Sequence, residues 1–302
     1  MASLQLVVDA SEHAFAGCLL QAGAAVERIQ IMFNEQQRRA VQLQRWGSTP
    51  REIQGMRFCC EAIEQRPNIM EQLQHRRLRV VCDSQGTQQV MASMGGSSWE
   101  QLEDVHGVGR FMLRNDIQPV FAWQPRDSQE VRLADALSKR PDPHDQRLQP
   151  QVFEAMCSRQ LPTNQQAQLG CSAWGRPTAD LFASAATHTA PRYFTLFLCR
   201  GAAGTDAFTA DWGKEKLAYI FPGPLYPADR VIHKILHDRC NCIAVFPRWH
   251  KFWEALLRGP HVRDSWDLKY HPGLYEHGPL VPERLRGIRV PLVAYRIDFT
   301  GL

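Results

Sequence analysis

Apolar and polar positions alternate between strand-like and helix-like patterns along the first half of the chain. The run LQLVVDAS is a short apolar stretch closing on Asp9, which predicts a buried strand. FAGCLLQ and VERIQIMF predict two more strands of an antiparallel meander. Residues 34–47 are rich in Gln and Arg and poorly patterned, which predicts a loop or an irregular strand. In STPREIQGMRFCCEAIEQ the apolar residues Ile53, Met56, Cys60 and Ile63 recur at helical spacing, Thr49 suits the N-cap and Pro50 the first helical position. LRVVCDS predicts a fourth strand, ending on Asp83. Residues 86–94 predict a short helix and 99–115 a longer one, with Trp99, Leu102, Val105, Val108 and Met112 on one stripe. IQPVFAW predicts a strand and SQEVRLADALSKR a helix, stopped by Pro141 and Pro143. The order β-β-β-α-β-α-α-β-α in one block is an α/β pattern.

After His144 the composition changes. Residues 149–168 are rich in Gln and Pro with little periodicity, and they read as a linker with room for a short helix. Beyond them, AYIF and CIAVF predict parallel strands and RVIHKILHD a crossover helix between them. That is a doubly wound pattern, in which ligands bind outside the carboxyl ends of the strands. The expected division is 1–147, a linker over 148–170, and 171–302.

A chain of 302 residues is long enough for two cores. Its 44% hydrophobic and 22% charged content excludes wholesale disorder. The net charge of +4 permits a polyanionic partner without requiring one. Basic residues gather in two stretches, Arg38, Arg39, Arg45 and Arg51, then His75, Arg76, Arg77 and Arg79, each of which also reads as a solvated face. Nine scattered cysteines give no disulfide framework, so the expected location is cytoplasmic or nuclear. Asp9 and Glu12 interrupt any N-terminal apolar stretch, so no signal peptide is expected, and no apolar run of about 18 residues predicts a membrane span.

Four acids stand where chemistry is expected. Asp9 ends the first strand, Asp83 ends the fourth, Glu52 lies in the helix between them, and Asp135 lies in the last helix of the block. Gathered carboxylates repel and raise one another's pKa, and hard divalent cations such as Mg²⁺ or Mn²⁺ relieve that cost. Two such ions activate water and stabilise the leaving oxygen of a phosphodiester. Each acid also has a plainer reading. Thr49 and Glu52 form a capping-box pattern, Asp9 and Asp83 suit turns, and Asp135 suits a helix surface.

VVDAS, TPREIQG, VVCDSQGT and PRDSQEVRLADALSKRPDPHD, in that order, resemble the four acidic motifs of ribonuclease H in reverse transcriptases. The likeness is to DIRS-type retrotransposons, with Pro143, His144 and Asp145 fitting their tail after the last motif, and it covers residues 4–147. It implies a ribonuclease H-like mixed sheet with helices, two bound Mg²⁺ or Mn²⁺ ions and an RNA–DNA hybrid as substrate. It also implies an upstream reverse transcriptase polymerase domain in a parent polyprotein. On this resemblance Asp9, Glu52, Asp83 and Asp135 are the catalytic metal ligands. Asp9 bridges both ions, Glu52 and Asp83 complete one site, and Asp135 the other. The family's histidine before the last acid has no counterpart in residues 124–134. A decayed, nucleic-acid-binding remnant of such an element is the alternative.

In the second block RPTADLFAS, APRYFT, GTDAFTADWGKEKLAYIFPGPLY and CIAVFPRWHKFWEALL are similar to adenine methyltransferases of the phage type over residues 174–260. There an Asn-Pro-Pro-aromatic motif follows a strand, and this chain has Phe221, Pro222, Gly223 and Pro224 instead. The resemblance therefore implies a methyltransferase-like domain without its acceptor Asn, with Asp180, Asp206 and Asp211 in slots that could serve the cofactor. His233, His237, Cys240 and Cys242 are donor types that suit zinc. Cys242 opens an apolar strand, however, and the Cys-x-Cys spacing is tight for two ligands. Trp212, Trp249, Trp253 and Trp266 read as core anchors ahead of base-stacking platforms.

Overall fold

The computed structural model describes residues 4–140, 142, 145–223, 227–248, 252–278 and 290–300. The chain forms two compact units, Met1–Arg140 with Phe197–Gly201, and Pro141–Leu196 with Ala202–Leu302. Both mix strands and helices, as the pattern predicts. Among the described residues no helix is long and apolar enough to cross a membrane.

The first unit runs β1 (Leu4–Ala10), β2 (Ala14–Gln21), β3 (Ala24–Met32), α1 (Glu35–Gln42), α2 (Ser48–Glu64), α3 (Pro67–Leu73), β4 (Arg77–Cys82), α4 (Gln85–Ser93), α5 (Trp99–Arg114), β5 (Gln118–Trp123) and α6 (Gln129–Ser138). Its sheet has the order β3-β2-β1-β4-β5. The first three strands form an antiparallel meander, while β1, β4 and β5 are parallel. This is the mixed sheet with helices expected for the first block. Ile53, Met56 and Cys60 of α2 and Val105 and Val108 of α5 bury against Leu6, Val8, Leu78 and Val80 of the sheet. Helix α6 packs on β1 and β2. Leu198 also joins this core, and its N–H donates to the Arg28 carbonyl at 3.0 Å, beside edge strand β3.

Three local expectations change. Residues 34–47 contain α1, which buries none of its residues and so has no apolar stripe to read. A capping box secures its start: the Asn34 side chain accepts from the Gln37 N–H at 2.9 Å, and the Gln37 side chain accepts from the Asn34 N–H at 3.0 Å. Helix α2 starts two residues earlier than expected, with Gly47 as an N-cap that makes no side-chain bond, so the Thr49–Glu52 capping box does not form. Trp99 is exposed, because successive three-residue steps rotate back by about 60° each and carry it away from the face of Val105 and Val108.

The second unit runs β6 (Gln146–Leu148), α7 (Pro150–Cys157), α8 (Thr163–Leu169), β7 (Ala179–Asp180), β8 (Arg192–Thr195), β9 (Gly204–Thr205), β10 (Ala218–Ile220), α9 (Ala228–His237), β11 (Cys242–Pro247), β12 (Val262–Leu268), β13 (Tyr275–His277) and β14 (Leu292–Ile297). A seven-stranded sheet has the order β12-β14-β11-β10-β7-β8-β9. Strands β7 to β11 pair in parallel, and β14 runs antiparallel to both β11 and β12. The expected parallel pair and crossover helix are β10, α9 and β11. Strand residues alternate between two apolar clusters: Ala218, Ile220 and Ala244 join one with α9, and Tyr219, Ile243 and Val245 join the other with α7.

Residues 148–170 are not a bare linker. Phe153, Met156 and Cys157 of α7 and nearby Leu161 are buried with Trp174 and Tyr219 in that second cluster. The low periodicity reflects a helix of only eight residues, too short to repeat an apolar face. Pro141, Pro143 and His144, with their proposed stop and tail roles, lie outside the described residues, as do Pro224 and Trp249.

Candidate active site

The parallel pairing of β1 with β4 positions two of the acids. Val7 pairs with Val81, and continuing that register by two residues sets Asp83, just beyond β4, beside Asp9, the penultimate residue of β1. Neighbouring strands lie about 4.8 Å apart. Glu52 is one turn inside α2, where its side chain is buried and its carboxylate accepts a hydrogen bond from the Thr87 hydroxyl of α4 at 2.8 Å. Asp135 is half-buried on α6 and pairs with Lys139 one turn later at 2.6 Å. The Asp83 side chain, itself shielded, accepts from the Arg126 guanidinium at 2.7 Å. Ser84, not Asp83, caps α4 by accepting from the Thr87 N–H.

The charges of the four acids reach one another. Burial pushes the Asp9 carboxyl above its ordinary value; Ser138 opposes this, Asp83 and Asp135 add to it, and Lys139 opposes it. Burial also pushes Glu52 up to about 7; the Thr87 hydrogen bond holds it down, Asp83 and Asp9 raise it further, and Arg126 lowers it. Arg126 is held above its ordinary value, first by its bond to Asp83 and the charge there, and also by Asp9 and Asp135. Asp9 thus feels Asp83 and Asp135, and Glu52 feels Asp83 and Asp9, so the four carboxylates are linked through Asp9 and Asp83.

A donor set of four carboxylates suits hard divalent cations, and buried acids with raised pKa values gain from a neighbouring positive charge. The side chains do not, however, converge as a ready coordination sphere. Among the described residues no group of three or more His, Cys, Asp or Glu could hold a metal ion. Asp83 and Asp135 instead turn to Arg126 and Lys139. The residues fit the ions by chemistry, provided these two acids exchange their basic partners for metal. Arg126 and Lys139 were not singled out from the sequence, although Lys139 stands four residues after Asp135, the ordinary spacing of a helical ion pair.

In the second unit Phe221 directly follows β10 and is buried, edge-on to Tyr275 at 6.2 Å. Asp180 ends β7, where it accepts from the Thr189 N–H and hydroxyl at 3.0 and 2.9 Å, and burial pushes it up to about 6. Asp206 and Asp211 accept from backbone N–H groups at the starts of two short 3-10 turns. His233 and His237 are exposed on α9, whereas Cys240 and Cys242 are buried, so the four donor residues do not gather into a zinc site. Trp212 and Trp253 are core residues and Trp266 is half-buried. Asp145 is buried and accepts from the Ser184 hydroxyl at 2.6 Å, a structural contact within the second unit.

No protein-family model and no curated protein matches the chain. Solved structures do match. A ribonuclease H1 isolated from compost aligns at 12% identity and a TM-score of 0.35, over 45% of this chain and 93% of that one. Ribonuclease H1 from Halobacterium salinarum aligns at 12% identity and a TM-score of 0.32, again over 45% and 93%. The N-terminal ribonuclease H domain of a Mycobacterium tuberculosis protein aligns at 11% identity and a TM-score of 0.31, over 45% and 94%.

Proposed function

We propose that the first unit is a metal-dependent ribonuclease H that hydrolyses the RNA strand of RNA–DNA hybrids, within a DIRS-type retrotransposon polyprotein that has its polymerase upstream. The observation that carries this reading is the β1–β4 register that sets Asp9 beside Asp83, with Glu52 buried on α2 and Asp135 on α6 near enough for their charges to act on that pair. These four would hold two Mg²⁺ or Mn²⁺ ions, Asp9 on both, Glu52 and Asp83 on one, Asp135 on the other. Bound there, the ions supply activated water and charge stabilisation at the phosphodiester. The protein's own groups do the rest. Glu52, pushed up to about 7 by burial when no ion is bound, would have to give up its proton to take an ion, so ion uptake would strengthen as pH rises through 7. Arg126, largely exposed, is free at its outer side to meet a substrate phosphate. Hybrid recognition would rest on groove shape and 2′-hydroxyls rather than on sequence. A cytoplasmic or nuclear setting accords with nine free cysteines.

A labelled RNA–DNA duplex with Mg²⁺ or Mn²⁺ tests the reading. The RNA strand should be cut, and Asp83→Asn should abolish cutting; equal cleavage by the variant overturns the role of Asp83. The engagement of Asp83 and Asp135 by basic partners favours a second reading, a decayed remnant that binds hybrids without cutting them. Salt-sensitive hybrid binding with no cleavage by the unaltered chain would select it.

For the second unit the reading is a methyltransferase-like fold that has lost the chemistry. Its support is the doubly wound strand order with one antiparallel strand, β14, together with Phe221 at a strand's carboxyl end. A buried phenyl offers no acceptor to a target amine. Methyl transfer from S-adenosylmethionine to DNA by the full chain would overturn this.

A further inference from the structure

Helix α5 turns one face into the core, and its other face is exposed among the described residues. Trp99 is 80% exposed and Leu113 is 83% exposed, near opposite ends of the helix. Both lie on the outer face together with Glu103, His106 and Arg110, all exposed. Met94 adds a further apolar group alongside: its Cε lies 2.5 Å from where a side chain at Gly109 would begin, so the end of the side chain rests against the glycine. Trp99 and Leu113 stand about 21 Å apart along the helix, so this face is a stripe with one large apolar group near each end and charged residues between them, not one contiguous apolar patch.

The order along this face is self-complementary. Read outward from His106, Trp99 lies seven residues before it and Leu113 seven after. Glu103 precedes it by three and Arg110 follows it by four. A second copy of the helix laid antiparallel, with the two-fold axis at His106, brings Trp99 against Leu113 of the other copy, twice. The same placement brings Glu103 beside Arg110 of the other copy, also twice and on one side of the seam. Isologous contacts require such a palindromic pattern. Glu103 is spare for it, since its bond within the chain is a long 3.9 Å approach to Arg57.

We propose that the outer face of α5 is a dimer interface whose occupant is a second copy of this chain, packed as an antiparallel helix pair. The occupant follows from the charge and apolar order of the face itself. One helix pair belongs to the small end of specific interfaces, below about 1,200 Å² in total, so association is weak and concentration-dependent.

Sedimentation velocity of the full chain from about 1 μM to about 200 μM, a range suited to such an interface, should show a monomer giving way to a dimer. Trp99→Glu and Leu113→Glu, both at exposed positions that the fold tolerates, should each weaken dimerisation at least tenfold. Glu103→Arg alone and Arg110→Glu alone should weaken it, and the double exchange should restore it, because the two charges then swap places across the seam. With the exposed Cys171 replaced by Ser, His106→Cys should cross-link to itself under mild oxidation, while Cys171→Ser alone does not. A chain that stays monomeric throughout overturns the proposal. So does a dimer indifferent to Trp99→Glu and to the charge exchange, which would place the contact elsewhere.

Discussion

The Thr87 hydroxyl donates to the Glu52 carboxylate at 2.8 Å, joining α4 to α2 beneath the acidic site. A donor to a carboxylate favours the ionised form. Thr87→Val keeps the shape and removes the donor, so the Glu52 pKa should climb above about 7. A carboxyl-carbon NMR titration reads this directly. An unchanged midpoint would show that the bond carries no weight in setting the charge state of Glu52.

Glu52 should also make the first unit less stable as pH rises. Its folded pKa of about 7 lies above the ordinary 4.5, so between these values the folded state binds the extra proton. The stabilising contribution is therefore fully present below about pH 4.5 and is lost as pH rises through 7. Glu52→Gln should raise the melting temperature by a few degrees at pH 8, about 1–3 kcal/mol, and by little at pH 4.5. A variant less stable than its parent at pH 8 contradicts this sign.

Arg126 and a divalent cation compete for Asp83. Arg126→Gln should tighten Mn²⁺ binding by up to about fivefold, the ceiling for an exposed ion pair. Titration calorimetry without substrate measures it. Weaker binding by the variant would mean that the guanidinium organises Asp83 for the ion instead of opposing it.

The Tyr219 hydroxyl is buried and has no hydrogen-bond partner among the described residues. Removing it deletes an unpaired polar group while keeping the ring, which stands edge-on to Phe153 at 5.1 Å. Tyr219→Phe should leave the second unit as stable or raise it by about 1 kcal/mol in urea denaturation. A loss above about 1 kcal/mol would show that the hydroxyl is bonded.

Limited proteolysis should spare residues 150–161, despite their Gln- and Pro-rich surroundings. Cleavage needs locally unfolded backbone, and here unfolding would expose Phe153, Met156 and Leu161. A first cut inside α7 would show that this helix is only loosely docked.

What the sequence discloses depends on where burial leaves a periodic trace. Strands β1 and β2 are apolar runs because both their faces are covered or nearly so, β4 alternates exposed Arg77 and Arg79 with buried Leu78 and Val80 before closing on buried Val81 and Cys82, and α2 repeats Ile53, Met56, Cys60 and Ile63 against one sheet face. Helix α1 leaves no such trace, being held by the side chains of Asn34 and Gln37. Helices α3 and α7 are too short to repeat a face. At the candidate site the acids stand out as strand-end and helix residues, but their basic partners depend on side-chain orientation. Arg126 reaches Asp83 from beyond β5, a pairing that only the β4–β5 alignment explains.

Leu198 bonds beside β3 from a position 170 residues after Arg28, which has a consequence for how the first unit is made. During synthesis the ribosome releases β1 to α6 long before Leu198 emerges. For that interval the edge of β3 near Arg28 and Ile29 is bare, and bare edges invite pairing with other chains. A fragment stopped at residue 147 would hold this nascent state permanently. Its solubility, compared with that of the full chain, would report how much protection the late-arriving segment provides.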